Sequence, residues 1–173
     1  MAIDFRQFRV WIVQPVINML ALPSPDQATD LLMSIAANES LGSKFLDQHV
    51  SHKDVPGPAF GPFQFERPTI TLVNNAVAKG ERSPKTSDDL KRSYRTFQTN
   101  FMLQPQTAEI LHVHLDKAVA YARLLLWFDP SALPDVGNLK AQYDTYIRVW
   151  RPGKPPTLPT FKAKRDKWER GTL

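Results

Sequence analysis

Apolar residues recur every three or four positions along most of this chain, the period of a helix that buries one face. "DFRQFRVWIVQPVINML" (4–20) predicts a first helix, with Asp4 as N-cap and Pro15 bending or interrupting it. A second helix is predicted from Ser24. Ser24 is placed as N-cap, Pro25 suits the first helical position, and Gln27 completes a capping box. Leu31, Leu32, Ile35 and Ala36 form its apolar stripe, and Gly42 is placed as the left-handed residue that closes it. The pattern then breaks. Residues 43–65 hold "VPG", "GPAFGPF" and little periodicity, and read as an irregular loop or a small β-hairpin. Helical spacing returns from Pro68 and again in "DDLKRSYRTFQTNF", after the exposed loop "KGERSPKTS". "TAEILHVHLDKAVAYARLLLWF" reads as one long helix, the most apolar and hence the central one, and "NLKAQYDTYIRVW" as the next.

The expected fold class is therefore mainly α, with a small irregular or β-hairpin region near residues 43–65. Residues 1–150 read as one domain. Residues 151–173 read as a stiff connector, "RPGKPPTLP", and a short basic C-terminal helix, expected to be loosely tied to the core and to dock on a partner. The stretch "VWIVQPVINMLAL" (10–22) comes nearest to a signal-peptide core, but Gln14, Pro15 and Asn18 break it. Neither a signal peptide nor a membrane span is expected.

Composition narrows the chemistry. Across 173 residues, 42% are hydrophobic, enough for one core. There is no cysteine, which excludes disulfides, a thiol nucleophile and a thiolate metal site. The net charge of +5 favours polyanions, among them nucleic acids, anionic wall polymers and acidic proteins, without choosing one. Lys162, Lys164, Arg165, Lys167 and Arg170 read as a solvated face, so nucleic acid is not expected. His49 and His52 lack a third ligand at convincing spacing, and His112 and His114 flank Val113 and point to different sides of a helix. No metal is expected.

One carboxylate stands out. Glu39 falls in "SIAANESLGS", among small and apolar neighbours, in the last turn of the second predicted helix. There the dipole's negative end and the lack of a nearby cation both favour the protonated form. A carboxylic acid that keeps its proton is what glycosidic cleavage uses as general acid. From this stretch alone, the commoner explanation is a solvated helix-end residue. The aromatic run Phe60, Phe63 and Phe65 suits either sugar stacking or a small core under the loop.

The pair Glu39–Ser40, followed by Gly61, Pro62, Phe63 and Gln64, resembles the lysozyme-like lytic transglycosylases, whose motif is Glu-Ser at the end of an apolar helix and then Gly-Leu-Met-Gln or a close variant. "GPAFGPFQFE" (57–66) and the later "YDTYIRVWRPGKP" more closely resemble small phage-encoded lysozyme-like proteins. The resemblance implies a lysozyme-like fold. It also implies Glu39 as general acid and then base, Ser40 orienting peptide and glycan near the cleft, and Gln64 with the Gly61–Gln64 backbone contacting the sugar from the opposite wall. Phe63 joins that substrate-binding set. The Ala-Tyr-Asn-Ala-Gly stretch of the cellular enzymes is absent, and Tyr143 and Tyr146 are the candidates for its Tyr. A hydrolase needs a second carboxylate, for which Asp47, Asp54 and Glu66 are placed, although Glu66 also suits the role of helix cap. A transglycosylase needs none, because the sugar's own hydroxyl attacks. The implied function is cleavage of peptidoglycan glycan strands at the MurNAc–GlcNAc bond without a cofactor. The implied location is a phage tail or baseplate, beside other virion proteins, with action in the host periplasm or wall. The other expectation is a lysozyme-like structural module of such an assembly, with weak or no catalysis.

Overall fold

The computed structural model describes residues 3–42, 47–49 and 56–172. The architecture is mainly helical, with one small antiparallel sheet. The first helical run begins as α1 (Phe5–Gln7), with the Asp4 carboxylate accepting the Gln7 N–H at 2.9 Å. It widens into a π-helical stretch, Phe8–Val13, and resumes as α2 (Gln14–Leu20). The wide turns end just before Pro15, whose missing N–H cannot serve the ordinary helical ladder.

Helix α3 (Pro25–Glu39) follows, with Pro25 in its first turn. The expected capping box does not form. Ser24 is left-handed (φ 60°) and its hydroxyl caps nothing. The turn before it is fixed from elsewhere, by Arg123 donating to the Pro23 carbonyl at 2.5 Å. At the other end Gly42 takes φ +66° and its N–H reaches the Ala36 carbonyl at 3.2 Å.

The sheet runs β1 (Asp47–His49), β2 (Pro56–Phe60) and β3 (Phe65–Glu66), in that order, with Asp47 opposite Phe60 and Ala59 opposite Glu66. Next come α4 (Arg67–Arg82) and α5 (Asp88–Asn100), the latter capped by Ser87. The long helix expected over 107–128 is two elements. A 3₁₀ stretch (Pro105–His112) ends at Val113–His114, and α6 (Leu115–Trp127) starts afresh. Helix α6 is buried on almost every side, from Ala118 to Leu124, and is the centre of the core. Helices α7 (Leu139–Trp150) and α8 (Leu158–Glu169) complete the chain.

Helix α8 is core, not appendage, and this corrects the expectation of a loosely tied terminus. Phe161 and Trp168 are 0% and 2% exposed. Trp168 stacks edge-on against Phe5, with ring centroids 5.1 Å apart, and its indole N–H donates to the Ile3 carbonyl at 2.7 Å. A Cβ at Gly42 would lie 2.5 Å from that indole, so the residue there must be glycine on steric grounds as well as for its φ. Arg165, between Phe161 and Trp168 along α8, lies with its guanidinium over the Phe5 ring at 4.8 Å. Its guanidinium meets the buried Asp30 carboxylate at 2.8 Å and also donates to the Asp30 carbonyl and the Ser34 hydroxyl, at 2.8 and 2.6 Å. Gln142 and the Gly137 N–H occupy the other Asp30 oxygen at 2.6 and 2.7 Å. Burial works against the Asp30 charge, but the Gly137 N–H, Arg165 and Gln142 outweigh it and hold the carboxyl below its usual range.

No helix among the described residues is long and apolar enough to cross a membrane, and they contain no group of three or more metal-ligating side chains.

Candidate active site

Two side-chain hydrogen bonds and a tight glycine turn bring distant segments together around Glu39. Ser40 is fully buried, and its hydroxyl donates to the Pro62 carbonyl at 2.9 Å and to its own helix at Ala36. Trp150, at the end of α7, donates its indole N–H to the Phe63 carbonyl at 3.1 Å. Gly61 (φ +76°) lets the turn press against the 3₁₀ stretch, where a Cβ would lie 2.9 Å from the Leu111 carbonyl. Gln64 (φ 51°) closes the turn, with its N–H and its side-chain amide both directed at the Gly61 carbonyl, at 3.1 and 2.9 Å. The α3 end, the β2–β3 turn and the α7 end are thus locked in one arrangement.

A pocket of about 330 Å³ opens at their junction. Glu39 lines it from α3, Gln64 and Glu66 from the sheet, and Tyr146 and Trp150 from α7. Residues 151–156 and Lys164 of α8 form the opposite side. A larger pocket of about 630 Å³ adjoins it and shares Gln64, Glu66, Trp150 and Arg151. Asp129, a carboxylate that lines only the larger pocket, is held ionised by its hydrogen bonds to Arg148 at 3.0 and 3.3 Å. It has no proton to offer at neutral pH.

Glu39 is half-buried and differs in kind. Burial pushes its carboxyl above the usual range, and the Tyr146 hydrogen bond and the nearby Lys164 ammonium only partly oppose this. Tyr146 is 3% exposed and keeps its own proton firmly, since burial and the adjacent Glu39 both raise it. It is therefore a fixed donor to the Glu39 carboxylate. Lys164 donates to the Asn38 carbonyl at 3.0 Å, at the negative end of α3, with burial pulling the ammonium down and Glu39 holding it up. Such a set suits a general acid. Burial favours the protonated form, while Tyr146 and Lys164 stabilise the anion left when the proton goes.

The other expected residues fall out unevenly. Ser40 and Phe63 are 0% exposed and do not line the pocket. Ser40 positions the turn, and Phe63 packs with Phe65 and Trp150 at centroid distances of 6.1 and 6.4 Å, so the aromatic run is core. Gly61 shapes the turn but does not line the pocket, whereas Gln64 does. Of the two tyrosines, Tyr146 meets Glu39. Tyr143 instead donates to the Pro156 carbonyl at 3.0 Å and packs on Phe161. Glu66 stands at the N-cap of α4 but makes no capping hydrogen bond, and it faces the pocket. Asp54, His52 and the side chains of Asp47 and His49 lie outside the described residues. Lys164, Trp150, Arg151 and Lys154 were not expected here. Trp150 and Arg151 enter because α7 ends against the β2–β3 turn, and Lys164 because α8 lies along α3.

Replacing Ser40 by Ala should loosen the turn and leave the buried Pro62 carbonyl without this donor, at a cost of about 1–3 kcal/mol. Chemical denaturation would measure it, and an unchanged midpoint would contradict the role.

No protein-family model, curated protein or solved structure matches this chain.

Proposed function

We propose that this protein cleaves glycan strands of peptidoglycan, with Glu39 as general acid and then base. The observation that carries the reading is Glu39 itself: a carboxyl that burial pushes above its usual range, beside Tyr146 and inside a pocket shared with Gln64. The family resemblance of the Glu39–Ser40 and Gly61–Gln64 segments supports it. In the proposed reaction Glu39 gives its proton to the bridging oxygen as the C1–O bond breaks, and the freed hydroxyl departs with the leaving sugar. The 6-hydroxyl of the same muramic residue then attacks C1 and returns its proton to Glu39, closing a 1,6-anhydro ring. A place in a phage tail or baseplate belongs to the same proposal.

A second reading differs in one step. Glu66 faces the same pocket with no capping duty, where it suits the base that activates water. Digestion of purified peptidoglycan with mass analysis of the soluble products separates the two. The transglycosylase leaves 1,6-anhydro ends and tolerates Glu66→Gln. The hydrolase leaves reducing ends and loses about 100-fold or more in that variant. Release of no fragments would overturn both and leave the domain as a structural module.

A further inference from the structure

Glu39 shares its pocket with Glu66 from the sheet, Tyr146 from α7, Arg151 and Lys154 from the segment after α7, and Lys164 from α8. Glu66, Arg151 and Lys154 are exposed, so water and salt screen their charges. Tyr146 keeps its proton and is neutral. Of these partners, Lys164 is the one half-buried charge. It sits on α8, which lies outside every segment that resembles the lysozyme-like proteins.

Two buried ties flank Lys164 and fix it against α3. Before it, the Asn38 amide donates to the Phe161 carbonyl at 3.2 Å. After it, Arg165 closes on Asp30 at 2.8 Å. The ammonium itself donates to the Asn38 carbonyl at 3.0 Å, at the negative end of α3 and next to Glu39 in the chain. Among the described residues Lys164 makes no ion pair at contact distance. That separation has a chemical consequence. Asp129, in contact with Arg148, is held ionised. A cation set further off favours the anion without abolishing the acid. It also needs no reorganisation when the charge appears, because α8 already holds it in place.

We propose that Lys164 is a positioning residue of the reaction, whose fixed charge lets Glu39 serve in both halves of the cycle, first as acid and then as base. The inference deepens the function proposed above and rests on its assigning that cycle to Glu39. Burial alone favours the neutral acid throughout, whereas the return step needs the carboxylate. Tyr146 supplies a hydrogen bond to that carboxylate, and Lys164 supplies the opposite charge. Without the charge, Glu39 keeps its proton to higher pH and gives it up less readily to the leaving sugar. Lys164 thus acts on the sugar only through Glu39, and it sets the pH range over which the site works.

The pH profile of peptidoglycan fragment release, read beside an NMR titration of the Glu39 carboxyl, tests this. Lys164→Met keeps the aliphatic stem and removes the charge. Its rate at the wild-type optimum should fall about tenfold. The alkaline limb of its profile should move to higher pH, and the Glu39 midpoint should rise with it. Lys164→Arg keeps the charge and should restore the rate, the limb and the midpoint. Lys167→Met removes an exposed charge from the same helix, away from the pocket, and should move none of them. Thermal unfolding should show all three variants folded, and Lys164→Gln replaces Lys164→Met if the latter is not. A slower Lys164→Met whose limb and midpoint stay in place makes Lys164 a structural support and overturns the proposal. So does an arginine variant that behaves like the methionine one, or a Lys167→Met that shifts the midpoint equally. Wild-type cleavage matched by Lys164→Met removes the role of Lys164 and leaves the proposed function. A wild-type protein that releases no fragments removes the function itself, and the role in catalysis with it, even where the midpoint shifts.

Discussion

Glu39→Gln should lower the rate of peptidoglycan cleavage by about 100- to 10,000-fold, the usual worth of a positioned acid–base group. Gln keeps the size and still accepts the Tyr146 hydrogen bond, so the pocket keeps its shape while the transferable proton is gone. The same variant should be more stable than wild type at neutral pH. The Glu39 carboxyl is raised above its value in the unfolded chain, so between the two values the native state holds more protons than the unfolded one. Stability from this group therefore falls as pH rises through that window, and the full penalty is present above it. Thermal unfolding of wild type and Glu39→Gln at acidic and neutral pH should show the gap opening with pH. Initial rates of fragment release should show the loss. Loss of activity together with lost stability would mean that the substitution damages the fold, and full activity would make Glu39 an ordinary helix-end residue.

Truncation after Trp150 should unfold the protein. The cut removes Phe161 and Trp168 from the core, and deletion of one large buried aromatic side chain alone costs about 3–5 kcal/mol. It also leaves Asp30 buried without Arg165, and an orphaned buried charge costs about 3–5 kcal/mol more. Together these reach the whole stability of a typical domain, about 5–15 kcal/mol. Arg165→Met is the milder form and should lower the denaturation midpoint strongly with the chain length intact. Circular dichroism and a denaturant titration of both proteins would decide. A truncated chain with a cooperative transition near wild type would restore residues 151–173 as an appendage for docking.

The helical class was legible because most helices here bury one face, and the apolar period of α3 and the near-continuous burial of α6 both have plain sequence signals. The start of α3 is legible through Pro25 and through Ser24, which does stand at the N-cap, but the capping box does not form, because Ser24 sits left-handed in a turn that Arg123 fixes from α6. The break at Val113–His114 was hidden because apolar spacing continues across it.

The role of α8 had a signal that was easy to misread. Phe161, Arg165 and Trp168 lie four and three residues apart and share one helix face, but an arginine in a basic stretch reads as solvated. Its partner Asp30 is 135 residues away, in a helix that looks complete without it. The same closure decides the site. Glu39 and Gln64 were legible as a local motif, whereas Lys164 enters only because α8 lies along α3. Ser40 and Phe63 belong to that motif and are buried supports of the turn.

The central claim is that burial raises the Glu39 carboxyl above its ordinary range, so that it can serve as an acid. Titration of its side-chain carboxyl carbon by NMR, assigned by its absence in Glu39→Gln, measures this directly. The midpoint should lie above the ordinary 4.5 of a glutamate and rise further in Tyr146→Phe, which removes a hydrogen bond favouring the anion. A midpoint at or below 4.5, unmoved by Tyr146→Phe, would contradict it.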